Sequence, residues 1–238
     1  MSAVLQSHMI WRGAEQTWIG WGDPNMKKGW VITIGREFGS GGSEVAHKVA
    51  ERLGIPYYDR DLIDLAVERT NLSREVVEAH EERMKPFRVG DPYGHGYIYR
   101  DDPSLVLPVH TRIYEAQCES IRRLAEKPCV IVGRCADYVL GECSNVLDVI
   151  SVFIRADFDK RVKRCMRVYN RSESDAKKLV QKTDKIRAKY YEAHTQREWG
   201  AIGSYTLIVD TGEFGTDGAA ALIEAAVKEL IQRDKIVL

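Results

Sequence analysis

The run Gly35-Arg36-Glu37-Phe38-Gly39-Ser40-Gly41-Gly42-Ser43 carries the residues best suited to chemistry. Closely spaced glycines let successive backbone N–H groups turn toward one point, and a helix starting behind them adds roughly half a positive charge. A cradle of that kind suits a phosphate group, with Gly39, Ser40, Gly41, Gly42 and Ser43 around it. Ser43 falls in the first turn of the expected helix, where a hydroxyl reaches a phosphate-bound magnesium ion. The usual pattern G-x-x-x-x-G-K-[ST] is not met. Gly42 stands where the lysine belongs, and the opening glycine comes one residue early, at Gly35. One charge-assisted hydrogen bond is worth about 1.5–3 kcal/mol, roughly ten- to a hundredfold in rate, and Arg36 is placed to compensate. The bland alternative is a tight turn that binds nothing. A plain turn needs only one or two glycines, and each surplus one costs up to ~1 kcal/mol against alanine.

Further candidates recur at the expected ends of strands. Asp59 and Arg60 follow Ile55–Tyr58, and Arg134 follows Cys129-Val130-Ile131-Val132 with Asp137 close behind. In an open α/β sheet that edge is where ligands bind. Arg134 suits bidentate phosphate binding; its alternative is an ion pair with Asp137 or another carboxylate. Asp59 equally suits a helix cap. Lys160, Arg161, Lys163, Arg164 and Arg167 fill one expected helix, and Lys177, Lys178, Lys182, Lys185 and Arg187 the next. In a chain with 35 Lys and Arg against 35 Asp and Glu, so local a cationic excess asks for a small anion, or is a solvated face. A nucleic-acid polymer would want a broader basic surface. Asp184 and Arg187 lie one turn apart and can act together, while Tyr190 and Tyr191 read as packing residues.

These residues need a scaffold. Val31–Ile34 is short, apolar and β-branched, as a strand buried on both faces should be. Val45, Val49 and Leu53 then repeat every fourth residue. Strands are expected at 55–58, 129–132, 149–154 and 205–209, and helices at 61–70, 73–84, 111–127 and 217–233. That alternation predicts a three-layer α/β sandwich with a parallel sheet, a helical insertion at about 60–115 and a basic helical lid at about 157–195. Residues 26–238 read as a single domain. Val4-Leu5-Gln6-Ser7-His8-Met9 resembles a protease-cleavage and cloning scar, and Met26 a native start, so residues 1–25 are expected to lie outside the fold. Lys85 to Pro108, rich in Pro, Gly and Tyr, reads as a flap over a substrate site or as the contact of a homodimer. His95 and His110 have no partner at metal-ligand spacing. The 5 cysteines form no C-x-x-C pair. With no membrane span and no signal peptide, a cytoplasmic setting is expected.

Ile34 to Gly42, Tyr57-Tyr58-Asp59-Arg60, Val132-Gly133-Arg134, Asp184 to Tyr191, Trp199-Gly200 and Tyr205 to Val209 together resemble the cytidylate kinase-like family. That family is a divergent branch of the P-loop nucleoside monophosphate kinases. The resemblance covers about residues 29–233 and implies ATP-dependent phosphoryl transfer, with Mg²⁺, to a nucleoside monophosphate, CMP or dCMP first. It implies ATP phosphates at Gly39–Ser43 and an acceptor at Asp59, Arg60, Arg134, Asp137, Asp184 and Arg187. It also implies lid arginines at Arg161 and Arg164, and Arg36, read from the loop itself, joins them as a catalytic candidate. Cys135 replaces the aspartate of the family's Gly-Arg-Asp motif, unless Asp137 supplies the carboxylate. The alternatives are a kinase for another small acceptor and a non-catalytic nucleotide-binding module.

Overall fold

The computed structural model describes residues 7–12, 15–20, 29–80, 108–141 and 147–236. The central sheet holds β3 (Gly29–Arg36), β4 (Tyr57–Tyr58), β5 (Val130–Val132), β6 (Leu147–Arg155) and β7 (Leu207–Asp210). All its pairings are parallel, and the order is β4-β5-β3-β6-β7. β3 is central because its side chains are apolar on both faces. Ile32 and Ile34 point toward α1 (Gly42–Leu53) and α8 (Thr211–Ile236). Val31 points the other way, toward α4 (Val109–Leu124) and α5 (Ala136–Gly141). The expected three-layer parallel sandwich is the fold observed.

α2 (Asp61–Thr70), α3 (Arg74–His80) and α4 share a second core of Ile63, Ala66, Val77, Val109 and Ile113. α6 (Phe158–Tyr169) and α7 (Glu173–Thr195) form a hairpin around Val162, Cys165, Ala176 and Val180. Asp157 starts α6 by accepting hydrogen bonds from the amides of Asp159 and Lys160, and Ser172 starts α7 through Asp175. A separate antiparallel hairpin joins β1 (Ser7–Arg12) to β2 (Glu15–Gly20).

The structure departs from expectation in a few places. α5 was not foreseen: six residues are too short for a helical period to emerge. The last helix starts at Thr211 rather than about Asp217, because Gly215, at φ 64° and ψ 177°, breaks it and leaves one turn ahead of the break. The proposed flap at 85–108 lies, apart from Pro108, outside the described residues, as do His95 and Cys143. Among the described residues no helix is long and apolar enough to cross a membrane.

The connections leaving β3 and β6 run in opposite directions across the sheet, toward β4 and β7. A crevice therefore opens at the carboxyl ends of these neighbouring strands. The glycine-rich run leaves β3 at that point.

Candidate functional site

Gly39 and Gly41 adopt positive φ, 80° and 84°, a backbone that L side chains rarely take. Among the described residues the amides of Gly39 and Gly41 donate to no backbone carbonyl. The turn is braced from behind: Thr211 donates to the Ser40 carbonyl at 2.6 Å, and the Ser40 hydroxyl donates to the Glu37 carbonyl at 2.8 Å. The sequence-predicted cradle is thus one turn at the head of α1.

Gly42 explains the missing lysine. A Cβ there would stand 2.5 Å from the Arg36 Cβ and 2.9 Å from its Cγ, closer than real side chains approach. The Arg36 side chain occupies the space a residue at 42 would need, so a cation comes to the loop from β3 instead of from α1. Arg36 is 8% exposed, and its guanidinium lies 3.6 Å from Asp59.

Asp59 ties several candidates together. Its Oδ2 accepts hydrogen bonds from the Ser43 hydroxyl at 2.9 Å and the Tyr57 hydroxyl at 3.1 Å. Its Oδ1 accepts from Arg134 Nη1 at 3.1 Å. Burial alone would raise the Asp59 pKa, but the Arg36 and Arg134 guanidiniums and the Ser43 hydroxyl outweigh it and hold the carboxyl below its ordinary value. Arg134 is 5% exposed, and burial beside Arg36 lowers its pKa to about 10, against the attraction of Asp59. It remains a cation at neutral pH. Gly133, Arg134 and Cys135 all take positive φ, 73°, 53° and 56°. Two non-glycine residues in that conformation cost roughly 1–2 kcal/mol each. Strain of that kind is characteristic of binding sites.

The alternative partner for Arg134, Asp137, is engaged elsewhere: it accepts from the Tyr191 hydroxyl at 2.6 Å. Burial raises the Asp137 pKa against that hydrogen bond. Arg36, Arg134, Asp137 and Arg187 line one pocket, walled by Tyr190, Tyr191, Trp199 and Tyr205. The two tyrosines are buried, as packing residues should be, yet they also form this wall. Sequence reasoning gave Trp199 no site role and took Tyr205 as the first residue of a strand at 205–209; the strand starts at Leu207, and Tyr205 lies in the turn before it, facing the pocket. Arg60 stands apart, exposed at the N-cap of α2.

The α6–α7 hairpin meets the loop from its other side. Arg164 lies against Gly41, where an added Cβ would meet its Cζ at 3.1 Å, and it pairs with Glu44 of α1. Arg161 is 7% exposed and points inward: its Nε donates to the Ala156 carbonyl at 3.0 Å and its Nη1 to the Phe38 carbonyl at 3.2 Å and to Asp184. Asp184 also accepts the Phe38 amide at 2.7 Å. Arg187 donates to the Arg36 carbonyl at 3.3 Å and sits over the Phe38 ring. No sequence signal marked Glu44 as the partner of Arg164.

Among the described residues no group of three His, Cys, Asp or Glu side chains could hold a metal ion. Ser43 and the ionised Asp59 nevertheless place oxygen donors side by side, the kind magnesium takes alongside phosphate oxygens. A larger apolar groove, lined by Ile150, Leu207, Ile223 and Val227, lies between β6, β7 and α8, away from these charged groups. Its polar lining is Thr206 and the Glu229–Arg233 ion pair, which satisfy each other or solvent rather than converging as the charged groups at the glycine turn do.

A sequence model of the cytidylate kinase-like family matches residues 31–213. The cytidylate kinase of Methanopyrus kandleri is 23% identical over 209 residues, 86% of this chain and 96% of that protein. Among solved structures, an uncharacterized protein from Eubacterium ventriosum ATCC 27560 is 29% identical, with a TM-score of 0.60, and the match covers 83% of this chain and 98% of that one.

Proposed function

Because the chain belongs to the cytidylate kinase-like family, we propose that it transfers the terminal phosphoryl group of ATP to a nucleoside monophosphate, with CMP and dCMP the preferred acceptors. One observation carries this reading. Arg36 and Arg134 share Asp59 where the glycine turn meets an aromatic-walled pocket. The turn offers amides to one set of phosphates, and the pocket, about 30 Å³ in this closed form, would on opening offer arginines and an aromatic wall to a second, ring-bearing ligand.

An oxygen of the acceptor's phosphate forms a bond to the terminal phosphorus of ATP as the bond to the ADP oxygen breaks, giving ADP and a nucleoside diphosphate. The attacking oxygen is already charged at neutral pH, so no strong base is required. Catalysis is alignment and neutralisation of the oxygens around the moving group. Arg36 supplies the charge that a loop lysine would otherwise bring. Arg134 and Arg187 hold the acceptor phosphate, and Arg164 leaves Glu44 for the transferring group as the hairpin shuts out water. Magnesium, held through Ser43 and Asp59, would neutralise phosphate charge. Among the described residues Cys118, Cys129, Cys135 and Cys165 are buried and joined in no disulfide, which supports a reducing, cytoplasmic setting.

The test is ADP release from ATP and magnesium across CMP, dCMP, UMP, AMP, GMP and small hydroxyl compounds. The expected result is fastest turnover with CMP or dCMP. Turnover confined to a hydroxyl compound would replace the acceptor. Thermal stabilisation by ATP with no turnover on any acceptor would make the protein a nucleotide-binding module.

A further inference from the structure

The α6–α7 hairpin touches the phosphate turn through two kinds of arginine. Arg164 has a side chain 26% exposed and one carboxylate partner on the surface of α1. Arg161 is buried, and three of its contacts are to the chain that forms the turn and its flank: Phe38, Ala156 and, at 3.4 Å, Glu37. Gly39 packs so closely on Arg161 that an added Cβ would meet the Arg161 carbonyl oxygen at 2.9 Å. Asp184 is committed in the same way. One oxygen accepts the Phe38 amide and the other accepts Arg161. A guanidinium and a carboxylate so occupied have little left to offer a ligand.

We infer that Arg161 and Asp184 are positioning residues, a strut that fixes the backbone of residues 37–39 and through it the shape of the phosphate turn. This inference rests on the phosphoryl-transfer reading only for its kinetic consequences. Drawing the Phe38 amide toward Asp184 turns it away from the cradle. Clamping the Phe38 carbonyl on Arg161 fixes the peptide on the other side, so the chain enters Gly39 at one angle. α7 also carries Arg187 one turn beyond Asp184, against the Phe38 ring and lining the pocket. The same helix therefore sets both the phosphate turn and one acceptor arginine.

Two measurements on the full chain test this. The first is amide hydrogen exchange without any ligand. Asp184→Ala should speed exchange at Phe38 by about tenfold or more, the expected scale for losing a charge-assisted hydrogen bond, while the amides of β3 keep their protection. An unchanged Phe38 rate would overturn the strut whether or not the protein is a kinase. The second uses Asp184→Asn and Arg161→Met in steady-state kinetics and in ATP titration calorimetry. The expected result is a rise of about tenfold in the KM and Kd for ATP, a lower kcat, and a CMP KM within about twofold of the parent. The double variant should be no worse than the more damaging single one. A large rise in CMP KM with ATP affinity intact would instead make Asp184 an acceptor contact. If the parent protein turns over no acceptor at all, the kinase reading fails, and the exchange result still decides the strut.

Discussion

At the scale of single residues, Arg36 and Gly42 are one device seen from two ends. The cation usually carried at position 42 cannot stand there, because its Cβ would collide with the Arg36 Cβ at 2.5 Å. Restoring the lysine should therefore harm the site. Gly42→Lys is expected to lower kcat, and Gly42→Ala to lower it as well, since the clash begins at Cβ. Arg36→Met should cost roughly ten- to a hundredfold in kcat, the worth of one charge-assisted contact. Steady-state turnover of the three variants checks this; a Gly42→Lys enzyme faster than the parent would refute the exchange. Asp59 poses a different problem. Asp59→Asn leaves Arg36 and Arg134 buried beside a neutral amide, and breaking a buried pair this way costs about 3–5 kcal/mol. Urea unfolding at neutral pH should show a loss of that order. The sequence made Asp59, Arg134 and the glycine turn visible because each stands just past an apolar run. It could not show that they meet, since 75 residues separate Asp59 from Arg134 and only the parallel pairing of β4 with β5 brings them together.

At the scale of elements, α1 is tied at its first turn to two other helices through one carboxylate. Glu44 accepts from Thr216 at 2.6 Å, pairs with Lys48 at 2.9 Å and holds Arg164. The Thr216 hydroxyl, opposed by burial and joined by Lys48 and Arg164, lowers the Glu44 pKa from an ordinary 4.5 to about 2. The unfolded chain takes up a proton near 4.5, and the folded one only near 2. The stabilisation from Glu44 is therefore complete above pH 4.5 and is lost as pH falls toward 2. Melting curves of the parent and Glu44→Gln should differ most above pH 4.5 and converge as pH approaches 2. A gap that stays constant with pH would remove the charge from the explanation. The periodicities of α1 and α6 were legible in the sequence. Their junction with the start of α8 was not, because Gly215 interrupts the helical pattern just before Thr216.

At the scale of the whole molecule, one face of the sheet packs, among the described residues, on α1 and α8, and the glycine turn is the upper rim of that layer. Ile223 of α8 is fully buried among Val152, Val209 and their neighbours, whereas Leu222, one residue away, is 43% exposed. The layer was legible because β6 is apolar along most of its length, but the apolar spacing of 217–233 sets Leu222 with Ile223 on the buried side of the helix, and of the two only Ile223 is buried. Ile223→Ala should open a cavity that the flanking β-branched strands cannot collapse into, at about 2–5 kcal/mol. Leu222→Ala should fall within about 0.5 kcal/mol of the parent. Because Thr211 and Thr216, at the head of the same helix, brace the turn at Ser40 and Glu44, loosening α8 should also reach the site. Ile223→Ala is expected to weaken ATP binding below its melting transition, and Leu222→Ala is not. Equilibrium unfolding and ATP titration on the two variants check both halves; a destabilised Ile223→Ala protein with parental ATP affinity would show that the turn keeps its shape without the layer beneath it.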